Sequence, residues 1–196
     1  MKSLKELCKV REAVFNETKR DDVLDLTNLL ENSIETERFF EETFITDGMK
    51  RLFDTAFKRF SSQSSQGIIK LTQSMGGGKT HNMIALGMLS KYKEKRNQIL
   101  GFDTKLDNIR VIGFTGRETD VKYGIWGELA RQLGKLEDFK EYYSPLRAPG
   151  QSAWVNMLKG EPLLILLDEL PPYLQAAKAQ PIGNSDLAEV TTAALA

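Results

Sequence analysis

The stretch Gln73-Ser74-Met75-Gly76-Gly77-Gly78-Lys79-Thr80 constrains this chain more than any other. Consecutive glycines lose the most backbone entropy on folding, so a folded chain keeps them where the backbone itself must take an unusual path. They follow the apolar run Ile68-Ile69-Lys70-Leu71 and precede Met83-Ile84-Ala85-Leu86, which reads as helix. Strand, glycine loop, Lys-Thr and helix is the order of a phosphate-binding loop, G-x-x-x-x-G-K-S/T. Gly78, Lys79 and Thr80 match; Gln73 stands where the pattern has its first Gly. In such a loop the backbone around Ser74, Met75, Gly76, Gly77 and Gly78 turns its N–H groups onto phosphate oxygens, and the helix N-terminus adds partial positive charge. Lys79 is expected to reach the β- and γ-phosphates, Thr80 to place its hydroxyl on Mg²⁺, and His81 to contact a phosphate or a neighbouring strand. The alternative is a glycine-rich turn before an ordinary Lys-Thr, with His81 as a packing or capping residue.

A second motif stands downstream in Leu163-Leu164-Ile165-Leu166-Leu167-Asp168-Glu169. Five apolar residues without alternation predict a strand buried on both faces, as in a parallel sheet. Carboxylates at the C-terminal end of such a strand face the ligand crevice. Asp168 is expected to hold Mg²⁺ through water, and Glu169 to polarise the attacking water as general base. Alone, the run also fits a buried strand with a solvated acidic end. With the glycine loop in the same chain, the two form a Walker A and Walker B pair. The Asp-x-x-Gly and Asn-Lys-x-Asp patterns of guanine-nucleotide proteins are absent, which favours ATP.

The remaining chain alternates helical and strand patterns. Residues 1–60 read as a mainly helical region. Leu4, Leu7 and Cys8 share one face; Val23, Leu26, Leu30 and Ile34 share another. After Phe39, Phe40, Phe44 and Ile45, Thr46 or Asp47 can cap a helix whose Met49, Leu52, Phe53, Ala56, Phe57 and Phe60 form one apolar face. That face either docks onto a nucleotide domain or simply packs in its own core. Residues 61–67, Ser-Ser-Gln-Ser-Ser-Gln-Gly, have linker composition. The domain over 68–196 then opens on a strand at 68–72. A helix from 79 to about 96 follows, apolar nearly all round and basic in its last turn. A strand at 108–115 leads to a helix carrying Trp126, Leu129, Ala130 and Leu133. A loop at 144–150, a short helix at 152–159, the strand at 163–167, and a last helix at 185–196 complete the pattern, Pro171-Pro172 ending the last strand. Alternation of this kind predicts an α/β fold with a parallel sheet and flanking helices.

Composition sets few limits. Lys plus Arg and Asp plus Glu both number 27, so no net charge draws the chain to nucleic acid or anionic membrane, and a local basic patch stays open. The lone cysteine, Cys8, allows neither an internal disulfide nor a cysteine zinc site. The first residues lack the apolar core of a signal peptide, and the run at 163–167 is far too short to span a membrane. These features predict a cytoplasmic protein without a membrane partner.

The motif at 73–80 with His81, together with Leu166-Leu167-Asp168-Glu169-Leu170-Pro171-Pro172-Tyr173, resembles a family of large AAA-type P-loop ATPases of bacteria and archaea. Their genes often lie beside adenine-specific DNA methyltransferases in defence islands. The resemblance covers most of the chain from about Phe39. It implies an ATPase using ATP and Mg²⁺, with Lys79 and Glu169 catalytic, working as an oligomer on DNA or a partner protein, a DNA methyltransferase among the partners. It also implies a five-stranded core whose sensor strand lies between the Walker A and Walker B strands. The chain stops within the helix after Walker B, so an N-terminal fragment of a longer protein, truncated before the sensor strand and inactive alone, is the expectation. Two other functions stay open. One is a nucleotide-gated scaffold with little hydrolysis, motivated by Gln73. The other is a small-molecule kinase, for which no lid arginines can be located. Arg117 and Glu118 are candidates for orienting water or substrate, against an exposed loop pair. Tyr173 is a candidate for stacking on a base or partner, against a plain surface aromatic.

Overall fold

Two parallel strands carry the architecture, and helices cover both of their faces. The computed structural model describes residues 24–72, 76–117 and 122–195; the face expected from Leu4, Leu7 and Cys8 lies outside them. In order come α1 (Leu26–Leu30), α2 (Thr36–Glu42), α3 (Asp47–Phe60), α4 (Lys79–Lys91), α5 (Lys93–Leu100) and β1 (Arg110–Thr115). Next are α6 (Gly124–Gln132), a 3-10 turn (Glu137–Phe139) running into α7 (Lys140–Tyr143), α8 (Gln151–Leu158) and β2 (Leu163–Asp168). The chain continues as α9 (Leu170–Ala177), a small antiparallel pair of β3 (Pro181–Ile182) and β4 (Ser185–Asp186), and α10 (Leu187–Leu195).

β1 and β2 pair in parallel from Arg110 opposite Leu163 to Thr115 opposite Asp168. Successive side chains leave on opposite faces. Val111, Leu164 and Leu166 join the core with α1, α3 and α4. Ile112, Phe114, Leu163, Ile165 and Leu167 join the core with α6, α9 and α10. Two covered faces explain why the run at 163–167 shows no alternation. Of this run Leu166 is buried, which contributes about 1.5–3 kcal/mol relative to exposure, while Leu163, Leu164, Ile165 and Leu167 are partly buried.

α3 follows its sequence pattern. Thr46 Oγ1 accepts from the Met49 N–H at 3.2 Å, Asp47 sits in the first turn, and Lys58 and Arg59 in the last, all suited to the helix dipole. Its buried side chains Met49, Leu52, Phe53, Ala56 and Phe57 lie in the same core as Ile84, Ala85, Met88 and Leu89 of α4. The N-terminal helices therefore share a core with the helix that follows the glycines. Lys91 Nζ ties them further by donating to the Leu29 carbonyl at 2.5 Å and to Asn32 Oδ1 at 2.8 Å.

Two expectations are corrected here. The helix expected from 79 to about 96 is two helices, broken at Tyr92, which is extended at φ −123° and ψ 97°. Tertiary partners hold the break. The Ile109 N–H donates to the Ser90 carbonyl at 2.8 Å, and the Lys93 N–H donates to Asn108 Oδ1 at 2.9 Å. Arg96, fully buried, turns its guanidinium back onto the Leu89 and Ser90 carbonyls that end α4. The second correction concerns 68–72, which joins no strand ladder among the described residues. Ile69 and Leu71 still pack against the core. A strand exists only through its pairing partner. Residues 68–71 and β2 instead line the same cavity of about 2020 Å³, a space rather than a ladder.

The outer edge of β1 is capped at its middle. Gln132 at the end of α6 accepts from the Gly113 N–H through Oε1 at 3.0 Å and donates through Nε2 to the Gly113 carbonyl at 2.8 Å. One side chain thus occupies both backbone groups that Gly113, at the middle of β1, offers to a further strand, which blunts an edge open to aggregation. Among the described residues no helix is long and apolar enough to cross a membrane.

Candidate functional site

The C-terminal ends of β1 and β2 and the N-terminal end of α4 meet at one place. Gly76 and Gly78 lie at φ 75° and 74°, in the left-handed region that glycine adopts without a Cβ penalty. A Cβ at either would meet nothing within 4 Å, so the backbone angle, and not lack of space, requires glycine. Gly76, Gly77 and Gly78 are exposed, and all three line the large cavity. Gln73, Ser74 and Met75 lie outside the described residues. Gly78 caps α4, its carbonyl accepting from the Asn82 N–H at 2.9 Å. Lys79 and Thr80 begin the 13-residue α4, both partly buried. The start of a helix of that length carries positive partial charge that favours an anion.

The two motifs are joined directly. Thr80 Oγ1 donates to Asp168 Oδ2 at 2.6 Å across a sequence separation of 88 residues. Asp168 is 8% exposed, and its Oδ1 accepts from the Glu169 N–H at 3.0 Å. The oxygens of Thr80 and Asp168 are hard donors, suited to Mg²⁺. Among the described residues no group of three or more His, Cys, Asp or Glu could hold a metal ion. A hydroxyl plus one carboxylate fits Mg²⁺ brought by a polyphosphate, which keeps water and phosphate in most of its coordination positions, better than it fits a resident ion in a protein cage.

Glu169 follows β2 at φ 48° and ψ 40°, a left-handed conformation that costs a non-glycine residue about 1–2 kcal/mol. Its carboxylate receives both forks of the Arg117 guanidinium: Nη2 donates to Oε1 at 2.9 Å and Nε donates to Oε2. These hydrogen bonds and the Arg117 charge hold the Glu169 carboxyl below the ordinary glutamate value and raise Arg117 in turn. Gly116 sets the geometry. Its N–H donates to the Asp168 carbonyl at 2.8 Å, one step beyond the last register pair. A Cβ there would stand 1.9 Å from the Glu169 carbonyl oxygen, so only glycine lets the two strand ends lie this close.

The remaining candidates fall as follows. His81 stays exposed at one side yet stacks on Phe39 with ring centroids 4.8 Å apart, its Nε2 3.0 Å from Thr43 Oγ1. Burial pushes its imidazole below the ordinary value. His81 thus joins the glycine-loop helix to the end of α2. Arg117 is paired with Glu169; Glu118 lies outside the described residues. Tyr173 is neither a free stacking platform nor a surface aromatic. It is 1% exposed and meets Phe114 edge-on at 5.1 Å. Pro171 and Pro172 sit in the first turn of α9, and the helix turns Tyr173 into the core. Sequence reasoning missed Gly116, whose only sign is a glycine directly after a strand, and missed Thr43 and Phe39 as partners of His81.

Comparison with known proteins adds one finding. No curated protein and no solved structure matches the chain. The matching family model takes in the glycines, Lys79 and Thr80 and ends within β1, before Asp168 and Glu169. That model, the DUF499 N-terminal domain, covers residues 1–111 of 196, more than half of the chain, and the chain belongs to that family.

Proposed function

We propose that this chain carries the nucleotide site of an AAA-type P-loop ATPase, which binds ATP with Mg²⁺ and hydrolyses it. The observation that carries the reading is the 2.6 Å contact between Thr80 and Asp168, which brings a glycine loop and a strand-end carboxylate into one site. Lys79 and the loop N–H groups hold the phosphates. Thr80 and Asp168 orient Mg²⁺, which supplies charge neutralisation when bound. Glu169 takes a proton from a water whose oxygen bonds to the terminal phosphorus. The bridging P–O bond breaks as that bond forms, and its electron pair leaves with ADP. A role in conformational work on DNA or a partner protein, in an oligomer and beside a DNA methyltransferase in a defence or modification system, rests on the sequence resemblance alone.

The reading is tested in the full-length protein with Glu169→Gln and Lys79→Ala. Glu169→Gln is expected to keep ATP binding and abolish turnover; Lys79→Ala is expected to lose both. Turnover unchanged in Glu169→Gln sinks the role given to Glu169. One observation favours a second reading, a nucleotide-gated scaffold with little hydrolysis: the Glu169 carboxylate is already held by Arg117. Brisk Lys79-dependent phosphate release, measured with DNA present, excludes the scaffold.

A further inference from the structure

Packing alone does not fix the start of α4. Its residues Ile84 to Ser90 are buried, whereas Lys79 and Thr80 are partly buried and His81 is exposed. The glycines ahead bring no side chains to pack. Specific bonds therefore hold the turn that would carry a phosphate. Thr80 supplies one of them, to Asp168 at the end of β2. Successive residues of a helix point about 100° apart. His81 thus leaves the same turn in another direction, and there it meets the end of α2.

The chemistry of that contact is fixed by its neighbours. Thr43 Oγ1 donates its one proton to the Phe39 carbonyl at 2.7 Å. Toward His81 Nε2, 3.0 Å away, the hydroxyl is left as an acceptor, which assigns the imidazole proton to Nε2. The ring also stacks on Phe39, the two planes 28° apart. The support behind this contact is itself anchored. Phe39 and Phe40 are buried in the core that α2 shares with α4. Lys95 of α5, 7% exposed, pairs with Glu37 of α2 and lies 5.8 Å from the centre of the Phe40 ring. α2 is a fixed post, and His81 ties the start of α4 to it across 38 positions of sequence.

We propose that His81 and Thr43 are positioning residues of the phosphate-binding loop, their hydrogen bond setting the first turn of α4 in the place from which Lys79 and the loop N–H groups take phosphate. The proposal rests on the nucleotide-site reading above. It makes α2, which precedes the glycines by some thirty residues in the sequence, a working part of the site. A loop set in place before its ligand arrives loses less freedom on binding. The bond therefore acts on affinity for the phosphates and needs no contact with the base.

The test measures the affinity of the full-length protein for a fluorescent, non-hydrolysable ATP analogue with Mg²⁺, and for inorganic triphosphate by competition. His81→Phe keeps the stack and loses the hydrogen bond; Thr43→Val keeps the shape and loses the acceptor. Each is expected to weaken both ligands by about fivefold, the worth of one hydrogen bond. The double variant is expected to lose no more than either single one, because both residues act through the same bond. Thr43→Ser, which keeps the acceptor, and His81→Gln, whose amide donates from near the position of Nε2, are expected to restore native affinity. A merely structural contact would lower resistance to urea and leave the affinity of the folded protein unchanged. Native affinity in both single variants overturns the proposal, and so do losses that add. A loss confined to the ATP analogue, with triphosphate bound normally, also overturns it, because His81 would then serve the nucleoside. Failure of the native protein to bind either ligand overturns the nucleotide-site reading and the proposal with it, whereas native binding with unaffected variants overturns the proposal alone.

Discussion

Gly116→Ala tests how closely the two strand ends must approach. The added Cβ would stand 1.9 Å from the Glu169 carbonyl oxygen, 2.6 Å from its carbonyl carbon and 3.0 Å from Leu170 Cα. All three are backbone atoms, so no flexible side chain can yield. Real Cβ contacts do not fall under 3.0 Å, so one strand end must retreat by about 1.1 Å. That shift stretches the 2.8 Å bond from the Gly116 N–H to the Asp168 carbonyl. Overpacking of a closed site costs about 1–3 kcal/mol and a lost hydrogen bond about 1 kcal/mol. The expected loss is about 2–4 kcal/mol, or a fall in Tm of about 4–16 °C for a domain of this size. Gly48→Ala is the control. Gly48 lies inside α3, where its Cβ would meet only Thr46 Oγ1, at an ordinary 3.6 Å. Gly48 sits in the first turn of the helix, where that change is neutral or mildly stabilising, by less than the roughly 1 kcal/mol of a helix interior. Thermal unfolding followed by circular dichroism compares the two. A Gly116→Ala protein melting within about 1 °C of the native chain refutes the reasoning, because the strand ends would then be free to part.

Three further outcomes follow from the packing. Arg96→Met leaves the Leu89, Ser90, Leu106 and Asp107 carbonyls without their guanidinium; urea unfolding should show a loss of about 2–4 kcal/mol. Gln132→Leu strips the cap from both Gly113 backbone groups, and light scattering should show concentration-dependent association through the exposed β1 edge. Burial pushes the Glu128 carboxyl up, but hydrogen bonds from Arg131 and Gln132 outweigh it, so its folded value lies below the ordinary 4.5. A depressed carboxyl stabilises the fold above the unfolded value, and that stability is lost as pH falls through the folded value. Unfolding curves of the native chain and Glu128→Gln should therefore stay apart above about pH 4.5 and converge as pH falls below it through the folded value.

Local pattern made some of this structure legible. The apolar run at 163–167 gave β2 because both faces of the strand are covered, and the spacing from Met49 to Phe57 with Thr46 ahead gave α3. The segment at 68–72 has strand composition, yet whether it pairs depends on what stands beside it, and composition carries no record of that. The break at Tyr92 depends on Asn108 and Ile109, residues distant in sequence that come alongside only in the fold. Lys79, Thr80, Asp168 and Glu169 were readable because their motifs are local. The bond between Thr80 and Asp168 and the pairing of Arg117 with Glu169 come from strand register and helix placement, which no single stretch encodes. Tyr173 was misread because the two prolines before it were taken only to end the strand, whereas prolines in a first turn begin a helix, and this one carries the ring against Phe114.

The central claim is that Thr80 and Asp168, 88 residues apart, serve one Mg²⁺-nucleotide site. Its most direct test is the Mg²⁺ dependence of ATP affinity in the native chain, Thr80→Ala, Asp168→Ala and the double variant, read with a fluorescent ATP analogue. The account predicts that Mg²⁺ tightens binding in the native chain and far less in either single variant, and that the double variant loses no more than the worse single one. Mg²⁺ dependence unchanged in Thr80→Ala and Asp168→Ala, or losses that simply add, would contradict it.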